Sequence, residues 1–214
     1  SKGYTKYTPN PGIIELREAI AEKFSPMLKR AINPENEIIV TVGATEAILV
    51  AMQTVMNPGD NIILADPYFT SYINQIKICH CEANLVRAKE ENDFCMTAED
   101  IEAAINNRTR MLLINTPCNP TGAEIPEEEL EKIAKIAVKH DLVVISDEVY
   151  NTIRYTDKPF VSIATMPGMA ERTIVINAFS KAYAMPGWRL GYAIGPAELI
   201  SMMPKTHDVT VACV

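Results

Sequence analysis

Short apolar runs alternate with amphipathic segments along most of this sequence, and no other feature constrains the fold as strongly. The runs are rich in Ile, Val and Leu and are continuous, which is typical of strands buried on both faces of a parallel sheet. The segments between them show helical periodicity. The pattern therefore predicts a three-layer α/β/α fold in which helices cover both faces of a mostly parallel, seven-stranded sheet. The predicted strands are residues 38–42, 61–65, 83–88, 111–115, 142–146, 173–176 and 190–194.

The predicted helices lie between these strands. The first covers residues 13–30, and Pro26 should disturb it or end it early. The second covers residues 46–56, the next carries Tyr68, Phe69 and Tyr72, and a fourth is capped by Thr97. Two more are predicted to begin at Pro126 and Pro196, because proline is favoured at the first helical position.

Composition limits the kind of protein. The 214 residues are 48% apolar and 22% charged, which fits one large globular domain spanning residues 1–214. A net charge of -7 argues against a nucleic-acid partner, because no basic face stands out. No apolar run approaches the length of a membrane span, and no signal-peptide pattern is present, so we expect a cytoplasmic protein without a membrane partner.

The cysteine and histidine residues do not predict a metal site. The five cysteines are odd in number and irregularly spaced, so we interpret them as free thiols in a reducing compartment. Cys79-His80-Cys81 lacks a second ligand pair, and alternate residues of a strand point to opposite faces. The three histidines show no arrangement typical of a catalytic triad, and we interpret them as surface or core residues.

Polar motifs directly follow the predicted strands. The carboxyl ends of parallel strands meet at one edge of the sheet, where ligands bind in folds of this class. We therefore expect the motifs to converge there. They are residues 43–45 (GAT), 66–69 (DPYF), 115–122 (NTPCNPTG), 147–150 (DEVY) and 180–181 (SK).

A lysine and an arginine suggest the chemistry of this edge. Lys181 follows the apolar run 173–176, and apolar surroundings favour a neutral amine that can attack a carbonyl. Arg189 offers a planar fork of donors suited to a phosphate. Together they match what pyridoxal phosphate requires, although a lysine near a strand end is more often a solvated charge.

The other motif residues each have a functional and a plain interpretation. The turn at 43–45 opens a helix and could bind an anion, or it could be only a turn. Asp147 could face a pyridinium nitrogen or cap a loop, and Tyr150 could donate to a phenolic oxygen or lie at the edge of the core. Phe69 could stack on a planar ring or fill the core, and Asn119 lies in a segment whose composition alone predicts a rigid turn.

The order GAT…DPYF…NTPCNPTG…SDEVY…SKAYAMPGWRLGY resembles the fold-type I pyridoxal-phosphate aminotransferases of class I/II, in the aspartate/aromatic subgroup. TKYTPNPG followed by ELREAI resembles the segment upstream of that family's large domain, so the resemblance runs from Tyr7 to the end. It implies that Lys181 forms the Schiff base with pyridoxal 5'-phosphate. It further implies that Asp147 pairs with the pyridine nitrogen, that Tyr150 and Asn119 bind the ring hydroxyl oxygen, and that Phe69 stacks on the ring.

The resemblance also implies a phosphate site and a dimer. Gly43 and the backbone of Ala44 and Thr45 would hold the phosphate together with Ser180 and Arg189. Tyr7 matches the tyrosine that reaches the phosphate of a neighbouring subunit, which implies a homodimer. The substrates implied are an amino acid and a 2-oxo acid.

Two departures qualify this expectation. Ala178 stands where the family often has a phosphate-binding serine. Family members are nearly twice as long, so we expect this chain to be the large domain without the N-terminal arm and the C-terminal small domain. The arginine that binds the substrate carboxylate would lie in the absent part, so we expect cofactor binding without full activity. A β-lyase of the same fold and a non-catalytic cofactor-binding module remain alternatives.

Overall fold

The fold is built on one seven-stranded sheet in a computed structural model that describes Gly3 and residues 5–214. The strand order is β1-β7-β6-β5-β4-β2-β3. Strand β7 is antiparallel to both of its neighbours, and every other pairing is parallel. The predicted seven-stranded, mostly parallel sheet is thus confirmed. The strands are β1 Ile38–Thr41, β2 Asn61–Asp66, β3 Glu82–Arg87, β4 Thr109–Asn115, β5 Val143–Asp147, β6 Thr173–Ala178 and β7 Gly191–Ile194.

Helices connect the strands, and three short 3₁₀ segments lie at 90–92, 163–165 and 186–188. Within the described residues, no helix has the length and apolar character needed to cross a membrane. The helices are α1 Ile14–Met27, α2 Gly43–Val55, α3 Ser71–Ile78, α4 Ala98–Ala104, α5 Glu127–Lys139, α6 Phe179–Ala182, α7 Ala197–Ile200 and α8 Met203–Val211.

The helices form a layer on each side of the sheet. Side chains alternate between the two faces of a strand, so neighbouring residues of β2 enter different cores. Ile62 and Leu64 pack in the core beneath α2, α3 and α8. Ile63 packs on the opposite side, in the core beneath α4 and α5, and α1 closes that side next to β1. This arrangement gives the three layers that the apolar pattern predicted.

Most differences from the predicted elements have a local cause. Helix α1 ends at Met27, one residue after Pro26, as predicted. Helix α2 begins at Gly43 rather than at residue 46, since glycine at φ +74° allows the chain to turn directly out of β1. Tyr68 and Phe69 precede α3 instead of lying in it, and Pro126 is the N-cap of α5 rather than its first residue.

The five cysteines are free thiols, in agreement with their irregular spacing.

Candidate active site

The predicted site residues converge in one cleft at the carboxyl edge of the sheet, with about 720 Å³ of empty volume including space open to solvent. Nine of the eleven predicted residues line it. Gly43 lies just behind the guanidinium of Arg189, while Tyr7 lies away from the cleft with 89% of its surface exposed. The nine lining residues are Ala44, Thr45, Phe69, Asn119, Asp147, Tyr150, Ser180, Lys181 and Arg189.

Asp147 is the buried acid of the cleft. It ends β5 with 4% of its surface exposed. Its Oδ2 accepts a hydrogen bond from the Tyr72 hydroxyl at 2.7 Å, and its Oδ1 accepts one from the Val149 N–H at 3.3 Å. Burial raises the pKa of Asp147 to about 6, although these two hydrogen bonds oppose that effect. Burial of this negative charge is unfavourable, so a cation that binds beside the carboxylate stabilises it.

Tyr72 is a cleft residue that the sequence reasoning did not identify. Only 2% of its surface is exposed, and its ring packs edge-on against Phe69 with centroids 5.5 Å apart. Burial and the neighbouring Asp147 raise the pKa of Tyr72 well above its ordinary value of 10, so the phenol remains protonated and donates to Asp147. Tyr72 therefore fixes the orientation of the carboxylate. Its proximity in sequence to the DPYF motif is the only signal that could have indicated it.

The start of α2 and Arg189 together form a cup suited to an anion. The first N–H groups of a helix lack intrahelical partners, and the helix dipole favours negative charge there. A Cβ atom on Gly43 would lie 2.6 Å from Nη2 of Arg189. A Cβ atom on Gly191 would lie 2.3 Å from the carbonyl carbon of Gly43. Only glycine at both positions permits this close packing of arginine, strand and helix start.

Lys181 lies in α6, directly after β6, and its side chain is exposed at the mouth of the cleft. Its Nζ is 5.6 Å from the ring centroid of Tyr150. The expectation of apolar surroundings is wrong for this lysine, because α6 follows the strand onto the surface and leaves the amine in contact with solvent. It nonetheless lines the same cleft as Asp147 and Arg189.

The remaining predicted residues occupy the walls. Phe69, Asn119 and Tyr150 are half-buried, as is Ser180. The backbone N–H of Asn119 donates to Oδ1 of Asn115 at 2.7 Å. The side chain of Asn115 in turn donates to the carbonyl of Asp147 at 3.1 Å. The NTPCNPTG segment is thus tied to the end of β5. Ala178 is 2% exposed and lines the cleft without a hydroxyl group.

A second buried acid, Glu148, lies next to Asp147 in sequence but outside the cleft lining. It is fully buried, and its Oε1 accepts hydrogen bonds from the hydroxyls of Ser146 and Ser162. Its Oε2 has no hydrogen-bond partner among the described residues. Burial raises the pKa of Glu148 to about 7. Its backbone carbonyl accepts from the amide of Asn177, which links the ends of β5 and β6.

This fold and this cleft define a class of protein: an α/β domain that presents an amine, a buried carboxylate and an anion cup at one edge of its sheet. The chain belongs to the aminotransferase class I and II family, whose model matches residues 1–210.

Individual relatives and solved structures agree with this assignment. The chain is 41% identical over 211 residues to an aspartate aminotransferase of Pyrococcus abyssi, covering 99% of this chain and 54% of that protein. It is 40% identical over 212 residues to aromatic-amino-acid aminotransferase 2 of Thermococcus litoralis, covering 99% and 54%. The crystal structure of an aromatic aminotransferase from Pyrococcus horikoshii superposes with a TM-score of 0.95 at 41% identity, covering 99% of this chain and 57% of that one. The chain thus spans about half the length of the relatives it matches.

Proposed function

We propose that this chain is the cofactor-binding large domain of a pyridoxal-phosphate-dependent aminotransferase and that Lys181 carries the cofactor. The observation that supports this most directly is the convergence of Lys181, Asp147 and Arg189 in one cleft of a chain from the aminotransferase class I and II family. The substrates we propose are an amino acid and a 2-oxo acid.

The residues present fit pyridoxal phosphate at both of its ends. The cup formed by the start of α2 and Arg189 suits a phosphate group, and Gly43 and Gly191 leave no room there for larger side chains. At the other end, the buried carboxylate of Asp147 suits a protonated ring nitrogen. Phe69 would stack on the ring, while Asn119 and Tyr150 would bind its hydroxyl oxygen and Ser180 would contribute to the phosphate site.

When bound, the cofactor supplies an aldehyde that condenses with amines and a ring that accepts electron density. Lys181 Nζ would provide the amine that holds the cofactor, and the same amine in its free form would serve as the general base at the substrate Cα. Asp147 would keep a proton on the ring nitrogen through its negative charge. Tyr72 keeps Asp147 in the required orientation through its 2.7 Å hydrogen bond. The ring centroid of Tyr150 lies 5.6 Å from the lysine amine, so Tyr150 faces the same part of the cleft as Lys181.

The location and assembly of the protein are also part of this proposal. Five free cysteines support a reducing, cytoplasmic environment. Tyr7 and Trp188 are 89% and 69% exposed, and a second copy of the chain would cover both side chains. A homodimer in which Tyr7 reaches the partner's phosphate site accounts for this exposure. Light scattering of the purified protein tests it, and a monomer at micromolar concentration would contradict it.

The first test of the function is covalent labelling. Incubation with pyridoxal phosphate, borohydride reduction and peptide mapping should place the label on Lys181. Lys205 is an exposed lysine of α8 outside the cleft and provides a matched control. Lys181→Ala should therefore lose the label, whereas Lys205→Ala should keep it. A label spread over surface lysines, or one that persists in Lys181→Ala, would overturn the assignment.

A second measurement addresses turnover. The relatives' names include aspartate and aromatic amino acids, so the panel of amino donors should cover both. Keto-acid formation is measured with the 214-residue chain and with a protein of the full length of the relatives. We propose that the shorter chain binds the cofactor without appreciable transamination, because positioning of the substrate carboxylate accounts for roughly 7–11 kcal/mol of barrier in favourable cases. Comparable turnover by both proteins would contradict this.

A further inference from the structure

A buried ion-pair geometry connects the last helix of the chain to the anion cup. His207 of α8 is fully buried, and its Nδ1 lies 2.9 Å from Oε1 of Glu46 in the first turn of α2. A carboxylate can only accept, so Nδ1 is the donor in this contact. The other oxygen of Glu46, Oε2, accepts the backbone N–H of Val42. Both oxygens of Glu46 are thereby engaged. His207 lies 161 positions from Glu46 in the sequence.

Glu46 would otherwise compete with a phosphate. It carries a negative charge within one turn of the N–H groups of residues 43–45, and acidic side chains in the first turn of a helix reach back to such groups. The same N–H groups are those offered to an anion in the cleft. The bond from Val42 occupies one carboxylate oxygen of Glu46, and the bond from His207 occupies the other.

We propose that His207 is a positioning residue for phosphate binding: through its hydrogen bond to Glu46 it keeps an internal carboxylate out of the anion cup. The proposal rests on the proposed function, since the cup has to receive the phosphate of pyridoxal phosphate. Two contacts support it: the buried bond between His207 and Glu46, and the bond from Val42 that completes the restraint. Nε2 of His207 has no partner among the described residues, so Glu46 is the polar contact that accounts for a histidine at this position.

The test separates phosphate recognition from general stability by comparing pyridoxal phosphate with pyridoxal, which lacks the phosphate. His207→Gln places its amide near the position of Nε2 and loses the donor at Nδ1. We expect it to weaken pyridoxal phosphate binding about tenfold while pyridoxal affinity stays within about twofold. His207→Asn keeps a donor near Nδ1 and serves as the matched control. Its ratio of pyridoxal phosphate affinity to pyridoxal affinity should be close to that of the wild type. Inorganic phosphate, used as a competitor, should lose affinity in parallel with pyridoxal phosphate.

A double-mutant cycle gives the decisive comparison. Glu46→Gln removes the competing charge, so His207→Gln should have little effect on the affinity ratio in that background. A role confined to folding would lower the thermal midpoint and weaken both ligands equally in either background, and this outcome would overturn the proposal. If His207→Gln does not fold, His207→Ala, which leaves room for water beside Glu46, takes its place with the same expectation.

The outcome also distinguishes this proposal from the function on which it rests. Wild-type protein that binds neither ligand, or is not labelled at Lys181, would contradict the proposed function itself. Wild-type protein that is labelled at Lys181, with an unchanged affinity ratio in the His207 variants, would contradict only the role of His207.

Discussion

The buried acid Glu148 should make the stability of this protein depend on pH in a direction opposite to that of most carboxylates. Its pKa is about 7 in the folded protein because the side chain is fully buried, compared with an ordinary value of 4.5. The neutral carboxyl therefore contributes stability that is fully present below pH 4.5 and is lost as pH rises through about 7. At about 1.4 kcal/mol per pH unit, the interval between the two values corresponds to about 3 kcal/mol.

The substitution Glu148→Gln isolates this contribution. A glutamine carbonyl can accept the hydroxyls of Ser146 and Ser162, as Oε1 of Glu148 does. Its amide nitrogen would occupy the position of Oε2, which has no partner among the described residues, much as the protonated acid does. The variant should thus match the wild type at pH 4.5 and exceed its unfolding free energy by up to about 3 kcal/mol at pH 8.

Urea unfolding at a series of pH values measures this difference, and thermal midpoints should differ by about 6–12 °C at pH 8 for a domain of this size. Glu131→Gln, which removes an exposed carboxylate of α5, is the control and should change the pH dependence little. A constant difference between Glu148→Gln and wild type across the whole pH range would refute the reasoning, since it would mean that Glu148 does not titrate differently on folding.

Two further predictions concern the acid that faces the cleft. Tyr72→Phe removes the 2.7 Å hydrogen bond that lowers the pKa of Asp147, so the pH midpoint for pyridoxal phosphate affinity should rise by about 1 to 2 pH units. Tyr192→Phe, in the core on the opposite face, is the control, and an equal shift in both variants would contradict the role of Tyr72. In a protein of the full length of the relatives, Asp147→Asn should slow the first half-reaction far more than it weakens cofactor binding. Stopped-flow rates close to wild type would exclude Asp147 from this role.

The sequence predicted the sheet well because its strands are continuous runs of β-branched and aliphatic residues, which only a doubly covered sheet can bury. It also predicted most of the cleft, because residues at the carboxyl ends of parallel strands meet at one edge whatever the details of the helices. Asp147 at the end of β5 and Lys181 after β6 were candidates by position, and the family resemblance supplied their expected roles. The exposure of Lys181 did not follow from the pattern, since it depends on how α6 leaves the sheet.

The residues that the sequence did not reveal depend on side-chain direction or on distant contacts. Tyr72 lies in the first turn of α3, and its contact with Asp147 depends on where that helix begins; element boundaries are the least certain part of a pattern-based prediction. His207 and Glu46 meet across α8 and α2, and no local pattern connects them. The sequence held a weak indication that Glu148 is unusual. Strand alternation places its side chain on the same face of the sheet as Ser146, away from the cleft, where a buried carboxylate is uncommon.

The three buried acids differ in their access to the cleft, and this difference indicates where a ligand cation belongs. Glu46 has a histidine and a backbone N–H, and Glu148 has two hydroxyls on one oxygen. Asp147 has one phenol and one long N–H bond, and it alone of the three lines the cleft. The interval between its ordinary pKa of 3.8 and about 6 corresponds to about 3 kcal/mol of unfavourable burial of charge. A cation that binds beside Asp147 recovers part of that free energy, whereas one beside Glu46 or Glu148 would have to displace an existing partner or enter the core. The anion cup and the acid thus lie at separate parts of one cleft, and a ligand with a phosphate at one end and a basic nitrogen at the other satisfies both.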